Sequence, residues 1–493
     1  MFILKNIGID SSHENTIYIR EDSPISHSEG FKVLTRVSVH FNGRHIIATL
    51  NTVESDLLGE GEAGLSEYAM QRLQVHEGDI ITIKHLQPLA SLGYVRAKIY
   101  GKELGEEAFQ SIIRDVVDGL YSNIELAAFV TACADDLNLN EIIYLTKAMI
   151  ATGQRIHWSK DIVLDKHCVG GVPGNRTTPI VVSIVAAAGL IIPKTSSKAI
   201  TSPAGTADML ETITTVDLSL EKMEEVVERE NGCLAWGGAV RLSPADDLLI
   251  YIEKALDIDS EGQMVASVLS KKAAAGSTHV VIDIPYGKTA KVRSQEEALK
   301  LQYYFQAVGE AIGLKTDILL SDGSQPVGRG IGPALEALDV LRVLKNEPDA
   351  PADLRHNAVT IAGKLLETAG QCAPGEGAAL ADSYITSGQA YKKLVAICTA
   401  QGGFREPVTG KHTFAVTAGK DGTVQEIDNR KLARIAKLAG APKSPGAGIL
   451  FDAPLGRTVK KGDVLFTIYA ETKGQLAYAR EYADTVDHLI IIT

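Results

Sequence analysis

Residues 1 to about 85 are predicted to be rich in β-strands, because runs within this stretch alternate between apolar and polar positions with a period of two. Two such runs, 33–41 and 44–50, are separated by Asn42-Gly43. An Asn-Gly pair in that place predicts a tight hairpin, because both turn positions need a positive φ that these residues tolerate. A further strand is predicted over 79–84. We therefore expect a small β-barrel-like domain over residues 1–86.

Between about residues 104 and 153, apolar residues recur at the spacing of an α-helix. Ser122-Asn123 supplies candidate N-caps inside this stretch, and Gly153 is a stop signal. We expect a helical domain over residues 87–158. Two further helical patches within 244–277 interrupt the later sequence, and we expect them to fold back onto this helical domain.

Strand-like and helix-like stretches alternate over residues 159–405. The runs 162–165, 280–284 and 316–320 are typical of buried strands, and 179–190 is typical of an Ala-rich helix. Such alternation predicts a mostly parallel sheet whose ligands bind at the carboxyl ends of its strands.

The strand pattern returns over residues 406–493. Strands are predicted over 414–419, 422–427 and 447–452, and the last of these leads into 459–469. That final stretch is similar to the hammerhead of lipoyl-like barrel-sandwich domains. The chain is thus predicted to be an α/β protein with an N-terminal β-barrel-like domain, a helical domain, a mixed α/β sheet domain and a C-terminal α+β barrel-sandwich domain.

Composition narrows the function classes. The 493 residues carry a formal net charge of -12, and an acidic chain lacks the basic face that broad nucleic-acid binding needs. The five cysteines form no C-x-x-C pair, so we expect neither a disulfide framework nor a zinc site, and we expect a reducing, cytoplasmic location. We identify no signal peptide, and the longest apolar run, near 180–192, is shorter than the ~20 residues of a membrane helix.

The strongest chemical signal is the first of four motifs, residues 165–178, which follows a predicted strand and precedes a predicted helix. Gly170 and Gly171 let the backbone approach an anion, and the N–H groups of the following helix point toward it. Lys166 adds positive charge, and Thr177-Thr178 adds hydroxyl donors. The alternative is an ordinary strand-to-helix turn. The spacing is not that of a Walker A loop.

The second motif is the stretch 194–211, in which seven hydroxyl or cationic side chains fall between Lys194 and Ser202, ahead of a helix start. The alternative here is a solvated polar loop with an N-cap.

The third motif is Ser267 to Lys272 on a predicted helix, for which the alternative is a solvated lysine face. The fourth motif is the stretch 321–336, a second Gly-rich turn that leads into a helix.

These four stretches, in this order, resemble the thymidine and pyrimidine-nucleoside phosphorylase family. The matches are DKH-x-x-GGV from Asp165, the S-S-K…A-G-T-x-D-x-L-E block from Ser196, and Q-P-x-G-R-x-x-G-x-A-L-E from Gln325. The resemblance runs from about residue 104 to the C-terminus. The N-terminal β domain, Gly-Gly-Val-Pro-Gly-Asn and Asp283-Ile-Pro-Tyr-Gly are similar to the AMP phosphorylase branch.

The resemblance implies a set of site residues. The implied catalytic residues are Asp259, as proton donor to the leaving base, with Lys166 and His167. The implied phosphate ligands are Lys166, Cys168, Gly170, Gly171, Thr178, Ser196 and Thr206. The implied nucleoside or nucleotide contacts are Gly171, Ser197, Lys198, Ala199, Ile200, Thr201, Ser202, Thr206, Ser267, Lys271 and Lys291. No metal and no cofactor are implied; inorganic phosphate is a co-substrate.

Three positions depart from the family pattern. Cys168 stands where the family usually has Ser, and a thiol is a weak donor. Lys198 replaces an Arg and so loses a bidentate fork. Ile252 or a neighbour holds the place of the Arg that reads the base in ordinary thymidine phosphorylases. If Cys168 lies beside Lys166 in the anion loop, we expect a lowered thiol pKa and a reactive thiol.

The implied chemistry is phosphorolysis of an N-glycosidic bond. Phosphate must be desolvated and held in line with C1′ while the sugar gains oxocarbenium character, so fixed cations and donors are needed. The leaving base gathers negative charge and needs an acid or a cation. Asp259 can supply the acid, Lys271 can supply the cation, and His167 can assist either. The alternative for Asp259 is a helix cap.

Two rival functions remain open. One is a phosphoribosyltransferase of the anthranilate type, which would need an acidic metal cluster for pyrophosphate. The other is a non-catalytic nucleotide-binding protein. The resemblance implies a helical domain and an α/β domain across a cleft that closes on the substrate. It also implies a homodimer or larger homo-oligomer that binds a nucleoside or nucleotide and phosphate, with no membrane or nucleic-acid partner.

Overall fold

The computed structural model describes residues 1–11, 14–23, 34–86, 88–134, 137–199, 202–240, 242–258 and 260–493. These residues form two compact units. The first unit comprises Met1–Thr152 and Pro244–Met264, and the second comprises Gly153–Ser243 and Val265–Thr493. Residues 244–264 therefore group with the N-terminal helices, although the four-domain division predicted above stays a prediction.

The N-terminal strands close into a six-stranded barrel, which confirms the predicted β domain. Its strands are β1 (Phe2–Asn6), β2 (Thr16–Arg20), β3 (Arg36–Phe41), β4 (Arg44–Val53), β5 (Glu62–Leu65) and β6 (Ile80–His85), in the order β1-β5-β2-β4-β3-β6. The hairpin is confirmed at Asn42 and Gly43, whose φ angles are 45° and 79°. The first residue of the predicted run, Val33, lies outside the described residues.

The helices that follow the barrel lie where the spacing of apolar residues predicts them. The helices up to residue 152 are α1 (Glu67–Leu73), α2 (Ser91–Ile99), α3 (Glu106–Val117), α4 (Asn123–Cys133) and α5 (Leu139–Thr152). Ser122 caps α4 through a capping box with Glu125, and α5 ends immediately before Gly153, so both sequence signals are confirmed. The buried helical residues of 244–256 pack against α3, α4 and α5.

The elements after residue 152 alternate as the sequence predicts. The strands are β7 (Leu164–Cys168), β8 (Ile192–Ser196), β9 (Gly232–Trp236), β10 (His279–Tyr286), β11 (Lys315–Asp322), β12 (Gly330–Ile331), β13 (His412–Thr417), β14 (Gly422–Ile427), β15 (Gly448–Phe451), β16 (Thr458–Val459), β17 (Val464–Ala470) and β18 (Ile490–Ile492). The helices are α6 (Thr177–Ala187), α7 (Thr206–Glu211), α8 (Leu220–Glu230), α9 (Gly237–Val240), α10 (Pro244–Leu256), α11 (Glu261–Ala274), α12 (Gln295–Ala311), α13 (Pro333–Leu344), α14 (Ala352–Thr368), α15 (Gly377–Thr386), α16 (Gln389–Ala400), α17 (Asn429–Leu438) and α18 (Lys473–Thr485).

Parallel strands bring the chemical motifs to one edge of a sheet. Strand β10 pairs in parallel with both β7 and β11, and β8 pairs in parallel with β9. A parallel bridge between Val163 and Ile191 joins β7 to β8. Because the carboxyl ends of parallel strands lie on the same edge, the stretches after Cys168, Ser196, Trp236 and Tyr286 emerge together. Helix α6 is buried along nearly its whole length against this sheet and helices α14 and α16.

The C-terminal strands form two small antiparallel sheets, β12-β15-β17-β13 and β16-β14-β18. The predicted stretch 459–469 is divided between them, because a turn closed by Asp463 and the N–H of Lys460 separates β16 from β17. Strand β12 belongs to the fourth motif, so that motif also pairs with the C-terminal sheet. Within the part of the chain that the structure describes, no helix is long and apolar enough to cross a membrane.

Candidate active site

Lys166 is a buried ammonium in the middle of β7. Its side chain lies in the second unit's core with 1% of the residue exposed. Its Nζ donates to the hydroxyls of Thr177 (2.7 Å) and Thr178 (3.1 Å) at the start of α6. In the described ranges no carboxylate lies within ion-pair distance of Nζ, and burial lowers the pKa of Lys166. A cation in this position favours a bound anion.

The glycine loop after β7 has a backbone that only glycine fits. Gly171 has a φ of 86°, and a Cβ there would collide with the backbone of Lys291. Gly174 has a φ of 73°, and a Cβ would collide with the carbonyl oxygen of Val327. The loop therefore lies against the segment after β10 and against the fourth motif. It also brings two predicted nucleotide contacts, Gly171 and Lys291, together.

Cys168 contradicts the expectation of a reactive thiol. Its Sγ accepts from the Asn175 amide at 3.4 Å, and the same amide donates to Asp283 at 3.4 Å. Burial first, and the Asp283 carboxylate second, raise the pKa of Cys168 to about 12; Lys166 opposes this shift and does not overcome it. The expected lowered pKa is therefore wrong, because desolvation and an acidic neighbour outweigh the lysine.

Cys168 should consequently react slowly with iodoacetamide at pH 7.5, since the thiolate is the nucleophile and a thiol with a pKa of about 12 is almost wholly protonated there. We expect the rate to keep rising between pH 8 and 10, where an ordinary thiol levels off. Peptide mass spectrometry of the alkylated sites measures this directly. A rate at Cys168 that levels off near pH 8.5 would contradict the assignment.

His167 follows Lys166 on β7, and its surroundings favour the neutral imidazole. Burial lowers its pKa well below the usual value, and Lys272, Lys194, Lys166 and Lys271 lower it further. A neutral imidazole can donate or accept a hydrogen bond but cannot supply the cation that an anionic leaving base would need. The lowered pKa disfavours a cationic role, and the expectation that His167 assists the acid or the cation stays a prediction.

The second motif forms a loop closed by a carboxylate. Asp208 accepts from the N–H groups of Gly205 (2.7 Å) and Ala199 (2.6 Å), and a Cβ on Gly205 would meet the backbone of 197–199 at 2.6 Å. Ser196 ends β8 and is buried, whereas Ser197 and Ser202 are exposed and Thr206 is half-buried. Two of the predicted contacts, Ile200 and Thr201, lie outside the described residues.

Lys198 is held by two neighbours within this loop. Its ammonium pairs with Glu211 at 2.7 Å and lies 4.6 Å from the centre of the Trp236 ring, a cation–π distance. Both Lys198 and Glu211 are more than a third exposed, so the pair contributes little stability. The sequence singled out Lys198 but not Trp236, which reaches the same edge because β9 pairs in register with β8.

The third motif is anchored to β7 by a buried ion cluster. Lys272, on α11, pairs with Asp165 at 2.8 Å, and Lys194 lies 3.8 Å from the other oxygen of that carboxylate. Lys272 is only 3% exposed, so the alternative of a solvated lysine face is wrong for this residue. Ser267 and Lys271 are half-buried on the same helix and one turn apart. Asp259, the predicted proton donor, lies outside the described residues.

Three family models match the chain in sequence order. Residues 93–153 match the helical bundle domain of a glycosyl transferase family, and 160–391 match the a/b domain of that family. Residues 423–488 match the pyrimidine nucleoside phosphorylase C-terminal domain.

Curated relatives match over nearly the whole length. A protein of Legionella pneumophila (strain Paris), provisionally named thymidine phosphorylase, is 57% identical over 490 residues, which is 99% of this chain and 95% of that protein. This chain belongs to the thymidine and pyrimidine-nucleoside phosphorylase family. Proteins given the same provisional name from Hahella chejuensis and Polaromonas sp. (strain JS666) are 53% and 54% identical, each over 97% of this chain and over 95% and 94% of their own lengths.

The phosphorylase-family fold also extends to a more distant enzyme. The crystal structure of anthranilate phosphoribosyltransferase from Thermus thermophilus matches with a TM-score of 0.52 at 21% identity, over 62% of this chain and 98% of that one. At that identity the likeness establishes a shared fold and carries no statement about substrate.

Further contacts beside the glycine loop involve residues to which the sequence assigned no role in the site. Arg176 pairs with the buried Glu336 and donates to the carbonyl oxygen of Ala204. Its guanidinium also lies 3.5 Å from the hydroxyl of Thr206. The Asp283 carboxylate, on β10, accepts a hydrogen bond from the Ser321 hydroxyl at 2.5 Å. The only sequence signal for Glu336 was its place at the end of the fourth motif.

Proposed function

We propose that this protein catalyses the reversible phosphorolysis of the N-glycosidic bond of a nucleoside 5′-monophosphate, which yields the free base and a (deoxy)ribose 1,5-bisphosphate. The observation that carries the proposal is the buried Lys166 ammonium, which donates to the hydroxyls of Thr177 and Thr178 and pairs with no carboxylate of the described residues. This arrangement supports a phosphate site in a member of a phosphorylase family.

The proposed reaction makes one bond and breaks one bond. A phosphate oxygen attacks C1′, and the bond from C1′ to the base nitrogen breaks as the sugar passes through an oxocarbenium-like transition state. Lys166 and the Thr178 hydroxyl hold the phosphate in line and offset its charge. Asp259 gives a proton to the departing base, and the neutral His167 contributes a hydrogen bond.

The proposed substrate class rests on two positions. Ile252, at or next to the place of the base-reading Arg, is buried with 4% exposed and offers no hydrogen bond to a pyrimidine. Lys291 is exposed and its backbone lies against Gly171, so its side chain starts beside the glycine loop, where it can contact a 5′-phosphate. These features support AMP, CMP or UMP over free thymidine.

A substrate panel tests the proposal. We expect kcat/KM for at least one nucleoside 5′-monophosphate to exceed that for thymidine by tenfold or more, since a charge-assisted contact to a phosphate is worth about 1.5–3 kcal/mol. The measurement is base release from AMP, CMP, UMP, their nucleosides and thymidine in the presence of phosphate. A strong preference for thymidine would overturn the nucleotide assignment and leave a plain thymidine phosphorylase activity.

A further inference from the structure

Three motifs that are far apart in the sequence meet at one guanidinium. Arg176 belongs to the first motif and lies immediately before Thr177. It reaches Ala204 and Thr206 of the second motif and Glu336 at the end of the fourth. All of these residues lie in the second unit.

We propose that Arg176 and Glu336 form a positioning pair for the phosphate site. The inference rests on the proposed function, because it assigns to this pair the alignment of the residues that would hold phosphate. Arg176 keeps the Thr206 hydroxyl and the backbone at Ala204 against the glycine loop. Glu336 in turn keeps the Arg176 guanidinium in that orientation.

The geometry favours orientation over charge alone. Arginine has five donors in a rigid plane, and this one divides them among a carboxylate, a carbonyl oxygen and a hydroxyl. Lysine could keep the ion pair but could not serve three acceptors in fixed directions. Thr206 is the first residue of α7, so its hydroxyl moves whenever the loop before it moves.

The burial of Glu336 explains why the fourth motif ends in an acid. Its carboxylate is 1% exposed, accepts from the N–H of Gly332 at 3.1 Å and pairs with Arg176. Helix α13, which carries it, packs against α6 and α7, the helices that begin at Thr177 and Thr206. A carboxylate buried there without Arg176 would be uncompensated, so the two residues act as a unit.

The experiment compares Arg176→Lys and Glu336→Gln with the wild-type enzyme. We expect each variant to raise the KM for phosphate about tenfold. The KM for the nucleotide should rise less, because most of the implied nucleotide contacts are not residues that the pair touches. The double variant should be no worse than the more impaired single variant, because each change breaks the same unit. Arg355→Lys is the control for the general effect of this substitution, since Arg355 forms a more exposed ion pair with Asp382 at 2.7 Å elsewhere in this unit.

Several outcomes would overturn the positioning role. One is an unchanged phosphate KM in either single variant. Another is a raised phosphate KM in Arg176→Lys together with a wild-type phosphate KM in Glu336→Gln, which would make Arg176 a direct phosphate ligand. A third is a fall in activity that only tracks the melting temperature. If Glu336→Gln does not fold, the cycle of Arg176→Lys with Thr206→Val decides, because positioning predicts that the two changes are not additive and independent roles predict that they are.

The proposed function and this inference fail in different ways. Wild-type enzyme that releases no base with phosphate from any member of the panel would refute the proposed function. Wild-type enzyme that is active, with a phosphate KM that does not respond to Arg176→Lys, would refute the positioning pair alone.

Discussion

Replacing Lys166 by methionine should raise the KM for phosphate at least about tenfold and lower kcat, because one charge-assisted contact to the attacking anion is worth about 1.5–3 kcal/mol. The melting temperature should not fall. The wild-type ammonium is buried with a lowered pKa and only hydroxyl acceptors, so its removal relieves a desolvation cost while methionine fills the space.

Steady-state kinetics with varied phosphate, together with thermal unfolding, measure both parts of this expectation. Lys364→Met is the control, because Lys364 pairs with Asp317 at 3.5 Å and is more than a third exposed. A wild-type phosphate KM in Lys166→Met would remove Lys166 from the phosphate site.

Asp259→Asn should lower kcat at least about a hundredfold, the lower end of what general acid catalysis contributes. Asparagine keeps the shape and the capping ability of aspartate but has no acidic proton to give to the leaving base. The melting temperature should barely move, and the alkaline limb of the pH–rate profile should disappear.

The neighbouring Asp257 provides a matched control for this variant. Asp257 has a φ of 53°, a left-handed conformation that asparagine also tolerates, so Asp257→Asn should keep near wild-type kcat. An Asp259→Asn enzyme that keeps more than about a tenth of wild-type activity would show that Asp259 is a helix cap. The same conclusion would follow if its stability and activity fell together, and Lys271 would then be the group to test for protonation of the base.

Local patterns predicted the elements well because they depend on near neighbours. The Asn42-Gly43 hairpin, the Ser122 cap and the stop at Gly153 each involve residues within a few positions of one another. Element ends were less accurate. Helix α6 begins at Thr177, whereas the sequence predicted Pro179. Strand β7 was predicted to begin at residue 162, but it begins at Leu164, where its pairing with β10 starts.

The sequence predicted which motifs form the candidate site, but not the contacts between them. The sequence placed Lys166 and Thr178 together, since they flank one loop. It missed the contact of Arg176 with Glu336, which are 160 positions apart, and the contact of Lys272 with Asp165, because such pairs depend on tertiary packing. The pKa of Cys168 was predicted in the wrong direction for the same reason: its burial and its neighbour Asp283 come from the folded sheet.

If phosphate itself attacks the sugar, phosphorus NMR of a reaction that contains a nucleotide substrate should detect the phosphorylated sugar as it forms. A new resonance from the 1-phosphate of the pentose 1,5-bisphosphate should grow in step with free base and should be absent when phosphate is omitted. Base release at the same rate without phosphate, or release that depends on pyrophosphate in its place, would contradict attack by phosphate.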